Sequence, residues 1–208
     1  STKVEVDASA ETLLLDDDKD LKFFREVNKR YNNSNFLIVT FTPHENLLSN
    51  QSLDTIRTLS KDFLTVKNIE GVDSILTVPL LQSPIRPISD LVAGVDSMET
   101  KEFDKELIKN EFLTSPLYKN ALVSADFKTT ALILNIKNDT KYFELLEKRN
   151  SLSAKEKEEN ITKEEKIELE KTLIEFKNYR DLIRKNDTQN IENIRNIIKK
   201  HETNGKIF

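Results

Sequence analysis

A run of carboxylates near the N-terminus is the first place in this sequence where chemistry could be done. An EF-hand calcium loop that starts at Asp16 would place Asp18 and Asp20 at ligand positions. Such a loop also needs glycine at its sixth position and glutamate at its twelfth, and here those positions hold Leu21 and Val27. The run therefore lacks the ligand pattern of a calcium site.

The same carboxylates fit the beginning of a helix. After the run, apolar residues recur at Leu21, Phe24, Val27 and Tyr31, which is the spacing of one face of an α-helix. Aspartates before and inside a first turn cap its free N–H groups and complement the helix dipole. The acidic run therefore predicts a helix N-terminus.

An enzyme is the alternative, with Asp16, Asp17 and Asp18 as its acid and base. Helix capping already accounts for these aspartates, and no partner residue with a complementary role is visible. The two histidines, His44 and His201, are far apart, and neither lies in a metal-ligand spacing. We therefore predict a protein that is not an enzyme, with no catalytic, cofactor or metal site, and the sequence does not assign substrate-binding residues.

Composition argues against several other function classes. The three glycines, Gly71, Gly94 and Gly205, are too far apart to build a phosphate-binding loop. The absence of cysteine rules out disulfides and thiolate metal sites. Charged residues make up 33% of the chain but the net charge is only −4, so nucleic acid is not an expected partner. No apolar run approaches the roughly 20 residues of a membrane span, and we expect a soluble chain.

The first part of the chain predicts strands that alternate with a helix. Residues 3–6 predict a short strand, and the apolar, β-branched run at residues 36–41 predicts a buried one. An amphipathic helix that begins near Ser49 or Ser52 has its apolar face at Leu53, Ile56, Leu59 and Phe63. Residues 69–71 predict a turn and residues 72–81 a second strand, which together complete a β-α-β unit.

The middle of the chain predicts a loop, a helix and a hairpin. Residues 82–97 contain Pro84 and Pro87 and predict a loop. Residues 99–113 predict a third helix that Ser115-Pro116 stops. Residues 121–125 and 130–136 are apolar runs on either side of a short polar turn, which predicts a β-hairpin.

A charged helical region follows. Twelve of the twenty residues from 153 to 172 are charged, and no glycine or proline occurs from residue 117 to residue 204. The apolar positions predict a helical hairpin or small bundle of two long helices and a shorter one, with a break at Asp187-Thr188. We expect the charged face to be solvated, and a partner-binding face is the alternative.

The C-terminus predicts a helix stop and the beginning of a strand. Asn204-Gly205 predicts a left-handed cap, and residues 206–208 open a strand inside which the sequence ends. The predicted fold class is α+β, with a ferredoxin-like β-α-β-β sheet layer whose last strand is truncated. The predicted domains are an α+β part, residues 1–137 with 204–208, and a helical part, residues 138–203.

Several short segments also occur in a recognisable order. They are VEVDASAETLLLDDDKDL at 4–21, a helix ending at 30–31, the strand at 36–40, the helix at 53–64, IEGV at 69–72, VPLLQSP at 78–84, SPLY at 115–118, LVS at 122–124, TTA at 129–131, the helix at 191–198 and GKIF at 205–208. In this order the segments resemble the RND superfamily of exporters, in its MMPL-like branch. The matching region is the large extracytoplasmic loop after the first transmembrane helix.

The resemblance implies a porter-type periplasmic domain of a proton-driven inner-membrane exporter, which forms part of a path for lipids or other hydrophobic substrates. Its implied partners are the rest of its own transporter, namely the transmembrane helices and second periplasmic loop. Further copies of itself or periplasmic accessory proteins are also implied. Residues here would serve packing, inter-domain contact and substrate passage, since the proton-relay carboxylates of this family lie in membrane helices.

Two further hypotheses remain open at this point. The proline-containing segment, residues 78–87, is either a hinge or inter-subdomain contact, or a surface loop without a role; its prolines are Pro79, Pro84 and Pro87. The helical region, residues 140–203, is alternatively a free-standing module that binds a partner protein through its apolar stripe.

Overall fold

Four strands and four α-helices lie in the two ranges that the computed structural model describes, residues 35–83 and 96–208. In chain order they are β1 (Phe36–Pro43), α1 (Asn50–Phe63), β2 (Ile69–Asp73), α2 (Lys105–Thr114), β3 (Thr130–Ile136), α3 (Thr140–Lys157), α4 (Lys163–His201) and β4 (Gly205–Ile207). A 3₁₀ turn, Glu202–Asn204, joins α4 to β4. The predicted α+β class is confirmed.

The strands form one sheet in the order β2-β3-β1-β4, and every neighbouring pair is antiparallel. At its centre Ile38 lies opposite Ile133 and Val39 opposite Leu132. The chain therefore leaves β1 through α1 and returns to β2 two places away, with β3 inserted between them.

The predicted strand at 36–41 and the predicted helix that begins near Ser49 or Ser52 are confirmed. The prediction that this strand is buried holds only in part, because Val39 and Phe41 are buried whereas Phe36, Leu37 and Ile38 are exposed. Ser49 is the N-cap of α1, and its side chain accepts a hydrogen bond from the backbone N–H of Ser52. The face of α1 with Ile56, Leu59 and Phe63 is buried against the sheet core.

The prediction of a turn at 69–71 followed by a strand at 72–81 was wrong in its boundaries. Strand β2 spans Ile69–Asp73, so it includes the predicted turn, and a bulge lies between Ile69 and Gly71. The strand ends early because Ser74 and Thr77 close a turn, in which the Ser74 hydroxyl accepts from the N–H of Leu76. The apolar residues that follow β2 are therefore buried because of this turn, and not because they alternate between the two faces of a strand.

The predicted hairpin was also wrong in its first arm. Residues 121–125 form no strand, and Val123 makes only isolated bridges to Lys119 and Thr130. The reason is topological, since β1 and β2 occupy both edges of β3 and leave no edge for a hairpin partner. The predicted third helix, residues 99–113, begins later, at the N-cap Asp104, whose carboxylate accepts from the N–H groups of Glu106 and Leu107.

The charged region forms a hairpin of two helices, and the predicted third, shorter helix is wrong. Helix α4 runs unbroken for 39 residues, which is about 58 Å. At the predicted break the hydroxyl of Thr188 donates to the carbonyl of Arg184. This hydroxyl is therefore bonded within the helix and does not interrupt it. The first half of α4 packs along α3, while Ile194 near its other end joins the sheet core.

The predicted left-handed cap at Gly205 was wrong, whereas the strand after it is confirmed. Gly205 is extended, with φ 160° and ψ −179°, and begins β4. A Cβ at Gly205 would lie 2.4 Å from the carbonyl oxygen of Thr42, so the close pairing with β1 requires glycine here.

Some predictions lie outside the described residues. These are the strand at 3–6, the helix that starts at the acidic run, and most of the loop at 82–97. The division into an α+β part and a helical part stays a prediction. Within the described ranges no helix is both long enough and apolar enough to cross a membrane.

Candidate functional site

A carboxylate in α2 is the most deeply buried ionisable group in the described residues. Glu111 lies on the buried face of the helix, between Ile108 and Phe112, and only 1% of its surface is exposed. An ion in such a position is costly unless hydrogen-bond donors surround it.

The donors come from the segment after β2. The Oε1 atom of Glu111 accepts from the N–H of Leu81 at 2.6 Å, and Oε2 accepts from the N–H of Gln82 at 3.0 Å. The hydroxyl of Ser83 donates to Oε2 at 2.7 Å. Because both oxygens face donors, the ionised carboxylate fits this site.

A second group holds the same segment. The hydroxyl of Tyr118 donates to the backbone carbonyl of Pro79, and its ring lies 5.3 Å from that of Phe112. Burial, and next the charge of Glu111, raise the pKa of Tyr118, so the phenol stays a donor. We call Glu111, Tyr118 and the segment they hold, residues 79–83, the Glu111 clamp.

The clamp bears on the proline-containing segment singled out in the sequence. Its first part, residues 79–83, is fixed at both ends by α2 and by the turn that follows α2. Pro84 and Pro87 lie outside the described residues. The hinge hypothesis for residues 78–87 stays a prediction, and residues 79–83 are held by these hydrogen bonds.

A second cluster joins α1 to the end of α4. The carboxylate of Asp62 is 2.7 Å from Nε2 of His201 and accepts from Nζ of Lys200 at 2.9 Å. These two hydrogen bonds, first that of His201, lower the pKa of Asp62. His201 is buried and is the last residue of α4, whereas His44 is exposed in the loop after β1.

A third cluster lies at the base of the helical hairpin. Asp139 is the N-cap of α3 and accepts from the hydroxyl of Tyr179 at 3.0 Å. Partial burial, and next the negative charge of Asp139, raise the pKa of Asp187. The cluster therefore ties the start of α3 to the middle of α4. It also places the carboxylates of Asp139 and Asp187 near each other, and their like charges repel.

An open groove of about 500 Å³ lies between α1 and the end of α4. Its lining residues are Gln51, Asp54, Thr55, Thr58, His201 and Asn204. The hydroxyls of Thr55 and Thr58 are already bonded to carbonyls of their own helix. No three His, Asp or Glu side chains of the described ranges are grouped to hold a metal ion.

The outer face of the sheet carries exposed apolar side chains. Phe36 is 57% exposed and Ile38 is 55% exposed, and both lie on the face away from Val39 and Phe41. Phe208 pairs with Thr40 and extends the same face at the edge of the sheet. An exposed apolar face of this kind is typical of a contact surface.

The sequence did not identify the Glu111 clamp. A signal was present, because Glu111 occupies an apolar spacing with Ile108 and Phe112, where a charge must find partners. The partners lie about 30 residues earlier in the chain, at an irregular segment that no periodicity marks. The aspartates of the alternative enzyme hypothesis, Asp16, Asp17 and Asp18, lie outside the described residues.

No family model, curated protein or solved structure matches this chain.

Proposed function

We propose that this chain is a porter-type periplasmic domain of a proton-driven inner-membrane exporter of the RND superfamily, MMPL-like branch. In this role it forms part of the path of a lipid or other hydrophobic substrate. Its partners are the transmembrane helices and second periplasmic loop of the same transporter, with further copies or periplasmic accessory proteins as additional candidates. In this role its residues serve packing and domain movement rather than the making or breaking of covalent bonds.

The strand order is the observation that carries the proposal. The antiparallel order β2-β3-β1-β4, with α1 linking β1 to β2 and the hairpin linking β3 to β4, supports a ferredoxin-like arrangement. The two linking helices, α1 and α4, pack together and are tied by Asp62 and His201. A ferredoxin-like sheet layer is what the resemblance implies for a porter-type domain.

Two features of the described residues fit a rigid body inside a larger assembly. The Glu111 clamp fixes the segment after β2, so that the sheet and α2 would move as one piece. The exposed face with Phe36 and Ile38 offers an apolar contact surface to another domain. A domain that moves as a unit against neighbours needs both properties.

The experiment is to find the native protein. An antibody raised against the 24.1 kDa chain would be used on fractionated source cells, with protease added from each side of the inner membrane. We expect a band several times larger than the chain, in the membrane fraction and cleaved only from the periplasmic side. A band near the size of the chain in the soluble fraction would end the proposal.

A free-standing helical interaction module is the second candidate. It is favoured by exposed apolar side chains on the hairpin, which include Phe143, Ile167, Ile174 and Leu182. Along α4 these side chains alternate with charged residues and so form no continuous apolar seam. The soluble band described above is the outcome that would select this candidate.

A further inference from the structure

One side of α4 carries a row of basic and apolar side chains. Its positions follow one another at intervals of three or four residues, so they share a helix face. They are Lys166, Glu170, Leu173, Lys177, Arg180, Arg184, Thr188, Ile191 and Arg195. We call this row the basic stripe, and it holds five cations and one carboxylate in a chain whose net charge is −4.

The other side of the hairpin is neutralised. Three lysines of α3, spaced seven residues apart, each pair with a glutamate of α4. The pairs are Lys141 with Glu175 at 3.4 Å, Lys148 with Glu168 at 2.7 Å, and Lys155 with Glu165. This side of the hairpin therefore has its positive charges matched across the helix pair.

Four of the five cations of the basic stripe are not matched in this way. Lys166, Lys177, Arg184 and Arg195 are exposed and form no ion pair with any residue of ranges 35–83 and 96–208. Arg180 is partly buried and lies 3.7 Å from Asp181. Positive charge is thus concentrated along one side of the hairpin.

Apolar side chains interrupt the stripe. Leu173 and Ile191 are each 45% exposed. Leu173 and Ile191 are 18 residues apart, which is about 27 Å along a helix. The whole stripe, from Lys166 to Arg195, is a straight line of about 44 Å.

We propose that the basic stripe docks on an anionic phospholipid surface. A helical protein partner needs an apolar contact every three or four residues, and the two apolar residues of the stripe are far too sparse for that. A layer of anionic headgroups needs only clustered Lys and Arg with scattered apolar anchors. This inference goes beyond the proposed function, because it assigns a ligand to a helix surface that the proposed function does not use.

The test measures binding of the full 208-residue chain to vesicles of phosphatidylcholine, with and without phosphatidylglycerol, at low and high salt. We expect binding only with phosphatidylglycerol, and a loss of that binding at high salt. The triple variant K177Q/R184Q/R195Q should lower the partition coefficient by roughly two orders of magnitude. Far-UV circular dichroism checks that the variant keeps its helices.

The matched control is K61Q/K105Q/K119Q, which removes the same charge from exposed lysines outside the hairpin. The control should bind vesicles as the unaltered chain does. An equal loss in both variants would mean that total charge drives binding, and the proposal would fall. A parallel assay measures binding to polyglutamate in place of vesicles. The proposal would also fall if phosphatidylglycerol had no effect, or if the chain bound polyglutamate but no vesicle.

Discussion

At the scale of single residues, Glu111 shows how one buried charge can organise a segment that has no regular structure. Its two oxygens replace water for three donors of residues 81–83. If the carboxylate is removed, its donors stay buried without an acceptor. The loss of stability is then larger than if neither the carboxylate nor its donors had been buried.

We therefore expect Glu111→Gln to lower the free energy of unfolding by about 2 kcal/mol or more, since its amide would place a donor against a donor. The matched control is Glu106→Gln, an exposed position in the same helix, which should change stability by about 0.5 kcal/mol at most. Urea unfolding followed by circular dichroism measures both. Equal effects of the two variants would contradict the clamp.

Asp62 gives stability a pH dependence. Its pKa is lowered in the folded chain by the hydrogen bonds from His201 and Lys200. A lowered carboxyl pKa contributes stability that is present above the unfolded pKa of about 3.9 and is lost as the pH falls through the folded pKa.

Unfolding curves of the unaltered chain and of Asp62→Asn, measured from neutral to acid pH, test this contribution. Allowing for solvent screening, we expect a difference of about 1 kcal/mol at neutral pH, which shrinks below about pH 4. Asp54→Asn, on the exposed side of the same helix, should show no comparable acid-dependent difference. A difference for Asp62 that persists unchanged into acid would contradict its assignment to the ionised carboxylate.

At the scale of elements, the two described strand glycines differ in what surrounds them. A Cβ at Gly205 would lie 2.4 Å from the Thr42 carbonyl oxygen and 2.8 Å from Cα of Pro43, both backbone atoms. A Cβ at Gly71 would meet the side-chain nitrogen of Asn135 at 3.3 Å, and that side chain can shift. The two positions therefore make a matched pair.

Gly205→Ala should lower the free energy of unfolding by about 2 kcal/mol or more, because β4 would have to move away from β1. Gly71→Ala should cost less than about 1 kcal/mol. Thermal unfolding of the two variants compares them directly. If Gly71→Ala were the more damaging change, the close pairing of β4 with β1 would be in doubt.

The elements also show how far the sequence could be read. The strand at 36–41 and the helix capped by Ser49 were predictable because local periodicity and capping coincide there. The boundaries of β2 and the absence of a hairpin at 121–125 were not, because they depend on which strands flank β3. The same holds for Glu111, whose charge was visible in the sequence while its donors were not.

At the scale of the whole described part, stability should be uneven along α4. Its C-terminal end, with Ile194 and His201, is buried against the sheet core and α1, whereas its beginning packs only along α3 in the described structure. We expect backbone amides near residues 163–170 to exchange with deuterium at least about tenfold faster than those near residues 190–198. Uniform protection along the helix, measured by hydrogen exchange, would contradict this gradient.

The unbroken course of α4 has a mechanical consequence. One end of this helix is anchored beside β4 and α1, and the other end lies at the hairpin turn, about 58 Å away. A rod of that length moves its free end by about 1 Å for each degree of tilt at the anchor. The helix is therefore a lever arm, in which a slight repacking beside the sheet becomes a displacement of several ångströms at the tip.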